Sequence, residues 1–167
     1  ADAWACYNLR KGDLVCAMVN EHHSNLLPWI KACEQIGAKL EVIRIGLDGR
    51  VDWAHYEKLL ARKPKLVAAA HVSNVIGIEN PIRKMAAAAH EAGAVFVLDA
   101  AQSTPHISVD VRKLGIDFLA FSGHKLQGPT GVGVLWAHPD RIAEMRPTLV
   151  GGGTLPERSL QGAYWRP

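Results

Sequence analysis

Cysteine is scarce in this sequence. Cys6, Cys16 and Cys33 are the only three in 167 residues, an odd number with no metal-like spacing. That excludes a disulfide framework and a cysteine-built zinc site, and it makes a reducing, cytoplasmic compartment the default expectation. Long apolar runs are missing too. LVAAA at 66–70 and AVFVL at 94–98 are far too short to span a bilayer, and no segment has the basic start and apolar middle of a signal peptide. Basic residues exceed acidic ones by only three, 19 against 16, with no run of five or six Lys/Arg. Nothing in that balance calls for a nucleic-acid partner. His55, His71, His90, His106 and His138 form no HExxH or other spaced metal set, so no metal site is expected. A GxxxxGK[ST] loop, a strand-borne GxGxxG and a Gly-x-Ser-x-Gly elbow are also missing, which disfavours nucleotide folds and serine hydrolases.

What is present is an ordinary globular composition, 49% hydrophobic and 21% charged. A chain of this length buries roughly two-thirds of its unfolded surface, enough for one domain or part of a larger one. It starts without Met inside a helical stretch, Ala1 to Cys6, and stops at Tyr164-Trp165-Arg166-Pro167. The simplest reading is a fragment cut at both sides from a longer protein.

Short β-branched runs alternate with helical ones. Strands are predicted at Leu14–Val19, Lys39–Ile45, Leu66–His71, Ala94–Leu98, Phe118–Phe121 and Gly131–Trp136. Helices are predicted at Asn25–Ile36 (closed by Gly37), from the Asp52 cap to about Ala61, from Pro81 to Gly93, and after Pro139. Leu47-Asp48-Gly49-Arg50 reads as a turn. This order predicts an α/β fold: a mainly parallel sheet with helices on both faces. No domain boundary is expected before the Gly151-Gly152-Gly153 stretch.

Ligands of such sheets collect at the carboxyl ends of the strands, which ranks the candidates. Asp99 ends the apolar run AVFVL. It reads either as a cap for the residues that follow or as a buried acid paired with a cationic ligand nitrogen. Lys125 lies in Ser122-Gly123-His124-Lys125-Leu126-Gln127-Gly128, where glycines free the backbone. It reads as a surface lysine or as a desolvated, Schiff-base-forming amine. Ser122 and His124 flank it as candidate phosphate donors. His22 reads as a satisfied structural residue or as a ring stacked on an aromatic ligand. Gln102 shares the Asp99 crevice if Ala100-Ala101-Gln102 turns back. Asn74 follows another strand and serves as a turn residue or a ligand contact.

These residues in this order resemble the class V aminotransferase family of pyridoxal-phosphate (PLP) enzymes, and within it the cysteine desulfurases and selenocysteine lyases. The resemblance rests on Asn20-Glu21-His22-His23-Ser24-Asn25 with Pro28-Trp29, and on His71-Val72-Ser73-Asn74-Val75-Ile76-Gly77 with Glu79-Asn80-Pro81. It rests equally on Leu98-Asp99-Ala100-Ala101-Gln102, and on Phe121-Ser122-Gly123-His124-Lys125 with Gly128-Pro129-Thr130-Gly131-Val132-Gly133. It implies part of the large domain of a PLP-dependent fold type I transferase over residues 1–153, with 154–167 starting a following segment.

The roles it implies are these. Lys125 carries pyridoxal 5'-phosphate and shuttles protons on the substrate. Asp99 holds the ring nitrogen protonated. Gln102 and Asn74 face the phenolic oxygen, His22 stacks on the ring and assists acid–base steps, and Ser122 and His124 hold the phosphate. Gly151 approaches the cofactor of a partner subunit in a homodimer. The implied reaction converts L-cysteine to L-alanine and passes sulfur to an enzyme cysteine as a persulfide, then to an acceptor protein in iron–sulfur cluster assembly. A selenocysteine lyase, a cysteine-sulfinate desulfinase and another class V enzyme are the alternatives, with a non-catalytic fragment or binding module as the rival of another class. The family's Gly-Thr-Thr phosphate loop, catalytic cysteine and carboxylate-binding arginine match nothing in this chain, so an isolated fragment is expected to be inactive. Cys33 reads as packing. Gln127 stands where many relatives carry tyrosine.

Overall fold

The apolar runs form the centre of a six-stranded sheet. The computed structural model describes residues 1–148 and the short strands Glu157–Ser159 and Gly162–Tyr164. Its strands are β1 (Leu14–Met18), β2 (Lys39–Ile43), β3 (Leu66–Ala70), β4 (Val95–Asp99), β5 (Phe118–Ser122) and β6 (Gly133–Ala137), in the spatial order β2-β1-β3-β4-β5-β6. The first five run parallel, and β6 returns antiparallel on β5. Residues 123–132 are too few for a crossover helix, which needs about a dozen residues or more, so the chain can only double back. Beyond them, β7 (Glu157–Ser159) pairs antiparallel with β8 (Gly162–Tyr164). Gly151 and the expected boundary at 151–153 lie outside the described residues.

Alternation along the strands feeds two cores. Cys16, Met18, Val67, Ala69, Phe96 and Leu98 point to one face, where they meet α3 (Trp53–Leu60), α4 (Ile82–Glu91) and the short α5 (Val111–Leu114). Val15, Ala17, Leu66, Ala68, Val95 and Val97 point to the other, against α1 (Asp2–Asn8) and α2 (His23–Ile36). Strands buried on both faces require this double cover. A further short helix, α6 (Pro139–Ala143), follows β6.

The handedness of crossovers decides which helix goes where. From β1 the chain moves outward to β2 through α2 on one face, then returns past β1 to β3 through α3 on the other. Right-handed connections in opposite directions must use opposite faces. The order therefore reverses between β1 and β3, and this switch point leaves an open crevice at the carboxyl ends of those strands.

Some boundaries differ from the sequence expectation. β2 stops at Ile43, because Ile45 bridges Val51 across the Gly46–Arg50 turn instead of continuing the sheet. α2 begins two residues early because the His22 ring caps it. α5, capped by the Asp110 side chain, and the 3-10 turn Gly123–Leu126 were not anticipated.

Candidate active site

Each expected site residue within the described region sits where a strand ends. His22 follows β1 as the N-cap of α2, its Nδ1 accepting from the Ser24 N–H at 3.2 Å. Asn74 lies in the turn after β3, where the Ser73 hydroxyl accepts from Val75 N–H and Ile76 N–H. Asp99 closes β4. Gln102 follows in a stretch that does turn back, with Ser103 N–H and Thr104 N–H both bonded to Ala100 O. Ser122 ends β5, and His124 and Lys125 occupy the 3-10 turn after it.

That last turn depends on close backbone approach. Gly123 N–H donates to Val132 O and Gly128 N–H to Gly123 O. A Cβ on Gly128 would lie 2.9 Å from Gly123 O, so a larger residue would force the loop open. Gln127 caps the turn in the left-handed region at φ 61°.

The strand order brings these groups together. One cavity of about 400 Å³ is lined by His22 and Asn25 at the start of α2, Asn74 after β3, Asp99 and Gln102 at the end of β4, and Ser122, His124 and Lys125 at the end of β5. Its size suits a small molecule or cofactor. Asp99 is half-buried, with its backbone in register between Ala70 and Ala120. Its Oδ1 accepts from Ala101 N–H at 2.8 Å, so the capping reading holds for one oxygen. The other has no hydrogen-bond partner among the described residues.

Glu21 is the residue that the strand-end ranking passed over. It is 7% exposed, and it bonds two residues of the cavity lining: Oε1 accepts from Ala70 N–H at 2.5 Å and Oε2 from Asn25 Nδ2 at 2.7 Å. Burial pushes its carboxyl up to about 7, against the pull of those two hydrogen bonds and with help from the Asp99 charge. The signal is an acid three residues past the apolar β1, beside His22. Cys16 and Cys33 are buried packing residues, and burial pushes the Cys16 thiol up to about 12. No cluster of three metal-ligating side chains and no helix long and apolar enough to cross a membrane occurs among the described residues.

The donor set fits pyridoxal phosphate: a primary amine, a carboxylate with a free oxygen, a flat imidazole, and a hydroxyl and second imidazole placed together, all on one cavity. A parallel α/β sheet with its cavity at this switch point is the large-domain architecture of fold type I pyridoxal-phosphate enzymes. The chain belongs to the class V aminotransferase family, whose model matches residues 1–167. It is 42% identical over 159 residues to a probable cysteine desulfurase of Halalkalibacterium halodurans, covering 95% of this chain and 39% of that relative. The apo structure of the cysteine desulfurase from Thermococcus onnurineus NA1 superposes with a TM-score of 0.90 at 41% identity, over 98% of this chain and 41% of that one. SspA in complex with cysteine matches with a TM-score of 0.81 at 30% identity, over 91% and 44%. The chain thus spans about two-fifths of the length of the relatives it matches.

Proposed function

We propose that this chain forms the cofactor-binding part of a pyridoxal-phosphate-dependent cysteine desulfurase. The observation that supports the reading is the shared cavity of Lys125 and Asp99 at the switch point. Bound pyridoxal phosphate supplies an electron sink for the bonds at the substrate α-carbon. Lys125 Nζ would hold the cofactor and would take and return the substrate's α-proton. The free oxygen of Asp99 keeps a proton on the ring nitrogen. The His22 ring would stack on the bound cofactor; one nitrogen is committed to the helix cap, so its other nitrogen would serve acid–base steps. Ser122 and His124 hold the phosphate, and Gln102 and Asn74 hold the phenolic-oxygen side. Gly151 belongs to the same reading as a contact to the cofactor of a second subunit in a homodimer.

L-Cysteine and a protein thiol then give L-alanine and a persulfide: the substrate C–S bond breaks, the thiol sulfur bonds the released sulfur, and carbon gains a proton. Buried Cys16 and Cys33 are unsuited to that thiol role. Sulfur delivery to an acceptor protein for iron–sulfur assembly in the cytoplasm completes the proposal.

The test uses the full-length protein loaded with pyridoxal phosphate. Lys125→Ala is expected to abolish the visible absorbance of the lysine-bound cofactor and to slow alanine formation from L-cysteine by roughly 10²–10⁴-fold. A variant with unchanged absorbance and turnover overturns the reading. Turnover of cysteine sulfinate or selenocysteine, but not cysteine, overturns the choice of substrate.

A further inference from the structure

The crevice at the switch point is bounded by segments that part company. α2 leaves β1 for one face of the sheet, while α4 follows β3 on the other. The walls that carry His22 and Asp99 therefore diverge just where they must stay in register. Glu21 spans the gap. One of its oxygens accepts from Ala70 N–H at the end of β3, and the other from the Asn25 side chain in the first turn of α2. Ala70 and Asn25 both line the cavity, Ala70 stands in register with Asp99, and His22 is the next residue in the chain.

We propose that Glu21 is a positioning residue of the active site, whose carboxyl fastens the His22 wall to the Asp99 wall across the switch point. The inference rests on the pyridoxal-phosphate reading above and names a residue that this reading does not use. A second carboxylate so near Asp99 would compete for the cation that Asp99 is there to hold. Burial and the Asp99 charge both favour the protonated form of Glu21, which titrates at about 7. The groups that face it are Asp99 from β4, the Asn25 amide from α2 and the Ala70 N–H from β3, with His22 and His23 following on its own segment. The clamp thus adds little negative charge beside the cavity below neutral pH, and as pH rises through about 7 a second charge appears beside Asp99.

Two substitutions in the full-length protein separate the clamp from the charge. Glutamine keeps an oxygen for Ala70 N–H and can meet Asn25 by reversal of that amide, but it cannot titrate. Alanine loses both bonds. Glu21→Ala is expected to weaken pyridoxal-phosphate binding, followed by absorbance, by about tenfold, with Glu21→Gln restoring it. In the cofactor-free protein, the infrared carboxyl band that the parent loses as pH rises through about 7 should be missing from Glu21→Gln. In the loaded enzyme, the ionisation of Glu21 should be missing from the pH dependence of kcat/KM in Glu21→Gln.

Cofactor binding by Glu21→Ala equal to the parent's overturns the clamp. If Glu21→Ala does not fold, Glu21→Gln decides, and an infrared step shared with the parent overturns the assignment of the proton. A parent protein that binds the cofactor but leaves L-cysteine untouched overturns the desulfurase reading alone, and the binding and infrared arms still judge Glu21.

Discussion

Asp117 offers a stringent test of how this sheet is held at the end away from the cavity. It is 6% exposed and immediately precedes β5. Its Oδ2 accepts from the buried Phe96 N–H in β4 at 2.7 Å and lies 2.7 Å from His90 Nε2 in α4, and its Oδ1 accepts from Arg141 Nε in α6 at 3.0 Å. One carboxylate thus ties two strands to two helices. Asp117→Ala strands the Phe96 N–H, a loss of about 1–3 kcal/mol. The partners add less: the His90 and Arg141 side chains are 42% and 30% exposed, so water screens them and each pair contributes at most about 1 kcal/mol. The sum is about 1–5 kcal/mol, measured as the difference in unfolding free energy in urea. Asp117→Asn keeps an oxygen for Phe96 and should cost about half as much.

The pH dependence has a fixed sign. Burial alone would raise the Asp117 carboxyl. The bonds from His90, the Phe96 N–H and Arg141 outweigh it and hold the group below the usual carboxylate range. The contribution is therefore full above the unfolded value and is lost as pH falls through the folded one, so parent and Asp117→Asn should converge below about pH 4. An Asp117→Ala protein within about 0.5 kcal/mol of the parent at neutral pH refutes the whole account.

Two other substitutions probe the packing that supports the site. Tyr56 is fully buried and donates its hydroxyl to Met85 O at 2.9 Å, joining α3 to α4. Tyr56→Phe should cost about 1 kcal/mol in the same urea assay, with the near-ultraviolet spectrum otherwise retained. Gly49 has φ 76°, and a Cβ there would lie 2.6 Å from both Ile76 Cδ1 and Ile78 Cδ1. Gly49→Ala should cost about 1–2 kcal/mol in thermal unfolding and should also weaken cofactor binding, because it pushes on the loop that carries Asn74.

Much of this architecture was legible because burial on both faces writes itself into the strands. LVAAA and AVFVL admit no polar position, and α2 and α3 carry caps at Gly37 and Asp52 that behave as read. The site was legible for a related reason. Polar residues at or within a few positions of the ends of such runs face the crevice, and His22, Asp99 and Lys125 share one cavity.

What escaped depended on approach in space. The 3-10 turn under Lys125 exists because Gly123 and Gly128 let two backbones touch, a contact with no periodic signature. β2 was overextended because apolar Ile45 serves a local hairpin rather than the sheet. Glu21 carries only a faint signal in the sequence because an acid followed by two histidines reads as polar loop, and only the fold shows it buried between Ala70 and Asn25.

The earliest helix is finished by one of the latest. Trp4 Nε1 donates to Glu144 Oε2 at 3.0 Å across 140 positions of sequence, Asn8 Nδ2 reaches Glu144 O, and Arg146 N–H meets Ala3 O. A ribosome emitting this chain must therefore deliver nearly all of the sheet before α1 finds its full berth. The indole of Trp4 packs with Val15, Ala17 and Leu66 of the parallel strands, but its Nε1 gains its partner only once Glu144, at the end of α6, is in place.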